Sequence, residues 1–258
     1  MTITLEFLGT GTSSGVPIIG CPCEVCNSPD QHDKRLRASV MIHTQGKHIL
    51  IDTAPDLRQQ LLLSPPTRID AVLYTHMHSD HTAGIDDIRP FNFRQEERIP
   101  VYMPVNAVDD FRQRFGYTLE PVRHRYGVVP NLDLNVIDST KPFDVAGVEI
   151  TPIPVMHGRL PILGFRVGNV AYLTDILTLP PESEPLLQDL DVLVTTALKK
   201  EENPGHMNLE QALAFIRKIN PKRACLSHVG HELGRESEIA PLLPENVTLA
   251  YDGLFVEA

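Results

Sequence analysis

Three imidazoles and a carboxylate fall within six positions of the chain, at His76, His78, Asp80 and His81. They follow directly on Asp70-Ala71-Val72-Leu73-Tyr74, an apolar run with the character of a strand. In an extended turn His76 and His78 project to the same side, while Asp80 and His81 open the next element and face a second point close by. Borderline-soft nitrogens and hard carboxylate oxygens so placed suit two adjacent divalent metals. A solvated polar turn does not account for three histidines this close together.

With Gly84 the motif reads H-x-H-x-D-H-x-x-G, and here the sequence resembles the metallo-β-lactamase fold superfamily. His78 and His81 are both present, as in its hydrolase branches: glyoxalase II, tRNA 3'-processing endonuclease and phosphodiesterases. The resemblance implies three more ligands at later strand ends, and each has a candidate in order. His157 follows Pro152-Ile153-Pro154-Val155-Met156, Asp175 follows Ala171-Tyr172-Leu173-Thr174, and His228 follows Ala224-Cys225-Leu226-Ser227. By that resemblance His76, His78 and His157 hold one ion, Asp80, His81 and His228 the other, and Asp175 bridges both. The ions would be manganese or zinc. The fold implied is an α/β four-layer αββα sandwich with the metals at one edge between two sheets.

Cys21, Cys23 and Cys26 form a C-x-C-x-x-C run in a loop. Three thiols so close favour a soft metal over disulfides. Cys225 alternates within a β-run and is expected in the core. His231, three residues beyond His228, is the better fourth ligand, which predicts a closed and therefore structural Cys3His zinc site. The cysteine run, with His228 and His231, is similar to the carbon-phosphorus lyase accessory phosphodiesterases, the PhnP family. The similarity extends from Phe7-Leu8-Gly9-Thr10-Gly11-Thr12 to Tyr251-Asp252-Gly253. It implies hydrolysis of a small cyclic or linear phosphodiester such as 5-phosphoribosyl 1,2-cyclic phosphate. It also implies a phosphate-contacting role for His206, whose plainer reading is a loop residue before a helix cap.

Asp52 ends an apolar strand beside the metal strand. It either fixes the tautomer of a ligand histidine or caps the helix expected from Pro55. The glycines at 9, 11 and 15 lack dinucleotide-loop spacing and are read as a turn carrying backbone near the metals.

The elements that must position these residues are short. Strands are expected at Ile3 to Leu8, His48 to Ile51, Asp70 to Tyr74, Val148 to Pro154, Val170 to Leu173, Val192 to Thr195, Arg223 to Ser227 and Val247 to Tyr251. Helical periodicity covers Pro55 to Leu63, Val105 to Phe115, Leu209 to Ile219 and Glu236 to Leu243, and Asn208 with Gln211 forms a capping box before the third. Thr10 to Arg37, Asp86 to Arg98 and Tyr117 to Leu132 read as loops. Ile85 to Arg98 departs from the PhnP pattern where a substrate lid is expected. Arg89, Arg94 and His124 there and beyond are either second-phosphate contacts or solvated surface.

The chain has 258 residues, 42% of them hydrophobic, enough for a substantial core, and no repeat or linker divides it. One domain over 1–258 is expected. A net charge of -10 repels a phosphate backbone, which disfavours a nuclease and broad nucleic-acid binding. No run approaches a membrane span and no signal peptide is evident, so a cytoplasmic protein without a membrane partner is expected. The resemblance adds a homodimer and two-metal hydrolysis, with Asp80 or His206 moving protons. A tRNA 3'-processing-type nuclease, a glyoxalase-II-type thioesterase and a catalytically silent metal-binding scaffold are the alternatives.

Overall fold

The computed structural model describes residues 2–120 and 129–258, so His124 lies outside the described residues. The first sheet is built from β1 (Ile3–Gly9), β2 (Ser39–Thr44), β3 (Lys47–Ile51), β4 (Ala71–Leu73), β5 (Ile99–Pro104) and β6 (Leu132–Ile137), and from the last strand, β14 (Phe255–Glu257). The second takes β7 (Phe143–Val145), β8 (Val148–His157), β9 (Leu160–Val167), β10 (Val170–Leu173), β11 (Val192–Thr196), β12 (Arg223–Ser227) and β13 (Val247–Leu249). Strand order is β14-β1-β2-β3-β4-β5-β6 in one and β13-β12-β11-β10-β9-β8-β7 in the other. From β3 to β6, and from β10 to β13, the strands run parallel.

Period-two alternation decides which faces meet. Along β1, Ile3, Leu5 and Phe7 point into the space between the sheets, where they pack with Val40, Ile51, Phe165 and Tyr172. Leu8 points the other way and joins Met41 and Leu50 under the helices α1 (Leu57–Leu63), α3 (Arg89–Gln95) and α4 (Val108–Phe115). On the outer face of the second sheet, α5 (Leu209–Ile219) buries Ala212, Phe215 and Ile216, one stripe at helical spacing, against Ala171, Leu193 and Leu226. Each of the larger of these side chains contributes about 1.5–3 kcal/mol by leaving water. The layers are therefore helix, sheet, sheet, helix, the αββα sandwich expected. Cys225 lies in the intersheet core, as its β-alternation predicts.

The capping box is present: Gln211 N donates to the Asn208 side chain at 2.8 Å, and Asn208 N to the Gln211 side chain at 3.0 Å. Two expectations need correction. The stretch from Asp86 to Arg98 is not a loop. It is a 3-10 turn over Ile85–Ile88 followed by α3, with Pro90 in the first helical turn and Ile85, Ile88 and Phe91 buried at three-residue spacing. Nor does the helix expected to Leu243 run that far: α6 spans Glu236–Ile239 and gives way to a 3-10 turn at Pro241. Strands β5 and β9 escape the sequence reading because Pro100, Pro104, Pro161 and Gly164 interrupt their runs. Among the described residues no helix is long and apolar enough to cross a membrane.

Candidate metal centre

The parallel strands present their carboxyl ends to one edge of the sandwich, and the chemistry collects there. His76 and His78 lie in the turn after β4, while Asp80 and His81 lie in α2 (Ser79–Thr82). His157 closes β8, and Asp175 and His228 directly follow β10 and β12 or lie one residue beyond. Asp52, Asp175 and His228 all sit at positive φ, at 63°, 57° and 53°. That left-handed backbone is unfavourable for non-glycine residues and lets each side chain turn back over the sheet edge. Gly84 of the motif is needed for a different reason. A Cβ there would stand 2.0 Å from the Ala54 carbonyl oxygen, so only glycine lets the turn after α2 close on the β3 loop.

All seven proposed ligands converge. The donor atoms of His76, His78 and His157 lie within 4.8 Å of one another, as do those of His76, His81 and Asp175. His81 Nε2 is 3.2 Å from Asp175 and 3.4 Å from Asp80, and His228 Nε2 is 3.2 Å from Asp175.

Asp52 resolves to one of its two readings. The cap position of α1 belongs to Asp56. Asp52 is fully buried and accepts from His81 Nδ1 at 2.7 Å, from Thr75 N at 2.9 Å and from Thr75 Oγ1 at 2.7 Å. Because the Thr75 hydroxyl gives its proton to Asp52, it accepts from His76 Nδ1, 3.0 Å away. One carboxylate thus fixes two histidines with protons on Nδ1 and lone pairs on Nε2. Those two Nε2 atoms are buried without a hydrogen-bond partner among the described residues. Orphaned lone pairs aimed at carboxylates fit a cation between them. The charges agree: burial lowers the His81 pKa, but Asp175 and Asp52 outweigh it and raise it well above the usual value. A positive charge is favoured at that point. Burial drives His76 well below its usual value and His228 down to about 4, leaving both neutral and able to ligate.

His157 Nδ1 donates to the Gly205 carbonyl at 2.8 Å, which again leaves Nε2 bare. His206 Nε2 lies 3.0 Å from Asp175 Oδ1 and its Nδ1 3.3 Å from Asn203 Oδ1. Asn203 Oδ1 also accepts from Gly205 N and His206 N, which fixes the oxygen toward the ring. Both nitrogens of His206 therefore face acceptors. Thr75, Asn203, Gly205 and Thr12, whose hydroxyl is 3.3 Å from His228 Nε2, are the residues sequence reading missed. The glycine-rich turn does pass beside the centre: Thr12 N donates to Val229 O at 3.0 Å.

A second cluster joins the N-terminal loop to the residue three places past His228. The Sγ atoms of Cys21, Cys23 and Cys26 lie 3.4, 3.2 and 3.6 Å from His231 Nδ1. Zinc bonded tetrahedrally to sulfur and nitrogen would set them about 3.5 Å apart. The Cys26 N–H and the His231 ring hold the Cys23 thiol down at about 6, toward the thiolate a metal ligates, while burial raises the Cys26 thiol to about 11. Arg89 and Arg94 line a groove with Leu61 and Leu62 on the helical face, and that groove shares no residue with the one around His76 and His78.

A model of the Beta-lactamase superfamily domain matches residues 47–229, which take in every candidate ligand of the His/Asp centre. A crystal structure described as a new diphosphatase from the PhnP family superposes with TM-score 0.92 at 38% identity, covering 100% of this chain and 98% of that one. An octanoyltransferase of Porphyromonas gingivalis is 41% identical over 249 residues, 96% of this chain but 50% of that protein. Zn(2+)-bound PqqB from Methylobacterium extorquens shares the fold, with TM-score 0.76 at 19% identity over 98% of this chain and 99% of that one. The chain spans about half the length of the first curated relatives it matches. On the sequence match and the whole-chain superposition together, the chain belongs to the metallo-β-lactamase superfamily, on its PhnP branch.

Proposed function

We propose that the chain is a metal-dependent hydrolase of small cyclic or linear phosphodiesters, with His76, His78, Asp80, His81, His157, Asp175 and His228 holding two divalent ions and Cys21, Cys23, Cys26 and His231 a structural zinc. The observation that carries the reading is the paired set of bare, buried Nε2 atoms on His76 and His81, facing Asp175 from tautomers fixed by Asp52. When bound, the two cations supply an activated water and positive charge against the phosphoryl oxygens. Asp175 reaches the histidines of both groups and so sets the spacing of the centre. His206 carries a proton between Asp175 and Asn203 and delivers it to the departing alkoxide. The PhnP-family diphosphatase at 38% identity supports phosphoryl chemistry.

A second reading, hydrolysis of an acyl thioester by the same centre, is favoured by the 41% identity to a protein named octanoyltransferase. The manganese-loaded chain is to be assayed with 5-phosphoribosyl 1,2-cyclic phosphate, an aryl phosphodiester and an octanoyl thioester side by side. Turnover of either diester above the thioester upholds the first reading. Thioester cleavage alone replaces it, and silence on all three, with two ions bound, leaves a scaffold.

A further inference from the structure

A groove leaves the metal centre between the two sheets. Its inner part, about 280 Å³, is walled by Met77, His78 and Leu160. Its outer part, about 520 Å³, is walled by Val105, Val136, Pro154 and Ile162. Pro104, Asn106 and Pro161 belong to both parts, so the two are continuous. The floor comes from the carboxyl ends of β5 and β6 and the opposite wall from the β8–β9 hairpin. Of these, β5 pairs with β4, β6 pairs with β5, and β8 ends at His157.

Three large apolar side chains are left in solvent along this path: Val105 is 74% exposed, Val136 52% and Leu160 39%. Apolar surface gathered into a groove beside a reactive centre marks a place where a ligand covers it. Among the described residues the charged side chains lining it are Asp110 and Asp138, both acidic. Each already has a cation, Arg114 at 3.1 Å and Lys141 at 3.2 Å. Among the described residues no lysine or arginine lines the groove.

We propose that this groove seats the non-phosphate substituent of the substrate, and that the substituent is an uncharged apolar organic group selected by Val105, Val136 and Pro161. The inference rests on the phosphodiesterase reading but is tested without turnover. Methyl-, butyl- and octylphosphonate are titrated calorimetrically into the full metal-loaded chain, with a chain-terminal carboxylate analogue of the octyl compound as a fourth ligand. Each methylene that enters the groove tightens binding about two- to fourfold. The octyl compound is therefore expected to bind at least tenfold tighter than the methyl one, and the carboxylate analogue at least tenfold weaker than the octyl. Val136→Asp, at a surface position, removes the dependence on chain length. Leu62→Asp, on the helical face, leaves that dependence as it was. Equal affinity for methyl and octyl compounds, tighter binding of the carboxylate, or an unchanged slope in Val136→Asp overturns the proposal. Length-dependent binding without hydrolysis of any diester would discard the reaction and keep the groove, whereas hydrolysis with flat binding would do the reverse.

Discussion

Asp52 reaches two histidines at once, His81 directly and His76 through the Thr75 hydroxyl. Asp52→Asn would place an amide against His81 Nδ1, invert its tautomer and turn the lone pair away from the centre. Metal affinity or activity is expected to fall about 10- to 100-fold with the fold intact, measured by metal titration beside circular dichroism. Asp175→Ala should abolish turnover while the cysteine site keeps its zinc, and metal analysis of the purified variant separates the two. If that variant keeps most of its activity, the dinuclear scheme is wrong. His206→Ala is expected to slow diesters with alkoxide leaving groups about 100- to 10,000-fold, and p-nitrophenyl diesters far less, because nitrophenolate departs without a proton. Equal losses on both substrates would remove His206 from the proton-donor role.

Short elements with strained ends hold these side chains. His228 lies one residue past β12 in left-handed backbone, and its neighbour Val229 exchanges hydrogen bonds with Thr10 and Thr12 of the N-terminal loop. That loop is in turn tied through Cys21, Cys23 and Cys26 to His231. A metal held by the cysteines would brace the turn that aims His228. Cys23→Ser, or chelation of the tightly held ion, is expected to lower the unfolding midpoint by roughly 10 °C, the effect of about 3–4 kcal/mol in a domain of this size. It should also open the loop between residues 10 and 37 to protease. An unchanged midpoint and cleavage pattern would reduce the cluster to surface thiols.

At the scale of the molecule, the two ends of the chain meet in a buried polar knot beside the centre. Asp252 accepts from Thr10 N at 2.9 Å, Thr10 Oγ1 at 2.7 Å and Leu36 N at 2.6 Å, and Arg35 donates to the same Thr10 hydroxyl at 2.9 Å. Burial pushes the Asp252 carboxyl up to about 6, against those hydrogen bonds and Arg35. Since the folded value lies above the ordinary one, the native state holds this proton more tightly than the unfolded chain. Its stabilisation is full below about pH 4 and is lost as pH rises through about 6, an effect of roughly 3 kcal/mol. Denaturant midpoints at pH 4.5 and 7.5 should show that decline in the wild type and not in Asp252→Asn. Matching pH profiles would refute the assignment.

The sequence by itself carried the histidine motif and the cysteine cluster, and its resemblance to the metallo-β-lactamase superfamily implied the layer order and the candidate later ligands. Period-two and helical patterns assign buried faces locally, and metal-ligating residue types in a short span have few other uses. The Leu209–Ile219 helix was legible to its cap because the capping box is a local contact. Only the tertiary structure chose between the two roles of Asp52, revealed Thr75 and Asn203 as the groups that orient the histidines, and put a helix where Asp86 to Arg98 read as a loop. Each of those depends on which strand ends lie side by side, as when Asp52 after β3 meets His81 after β4. Spacing along the chain does not encode the left-handed backbone at Asp52, Asp175 and His228 that turns them inward, nor the groove between β5, β6 and the β8–β9 hairpin, because packing of distant segments imposes both.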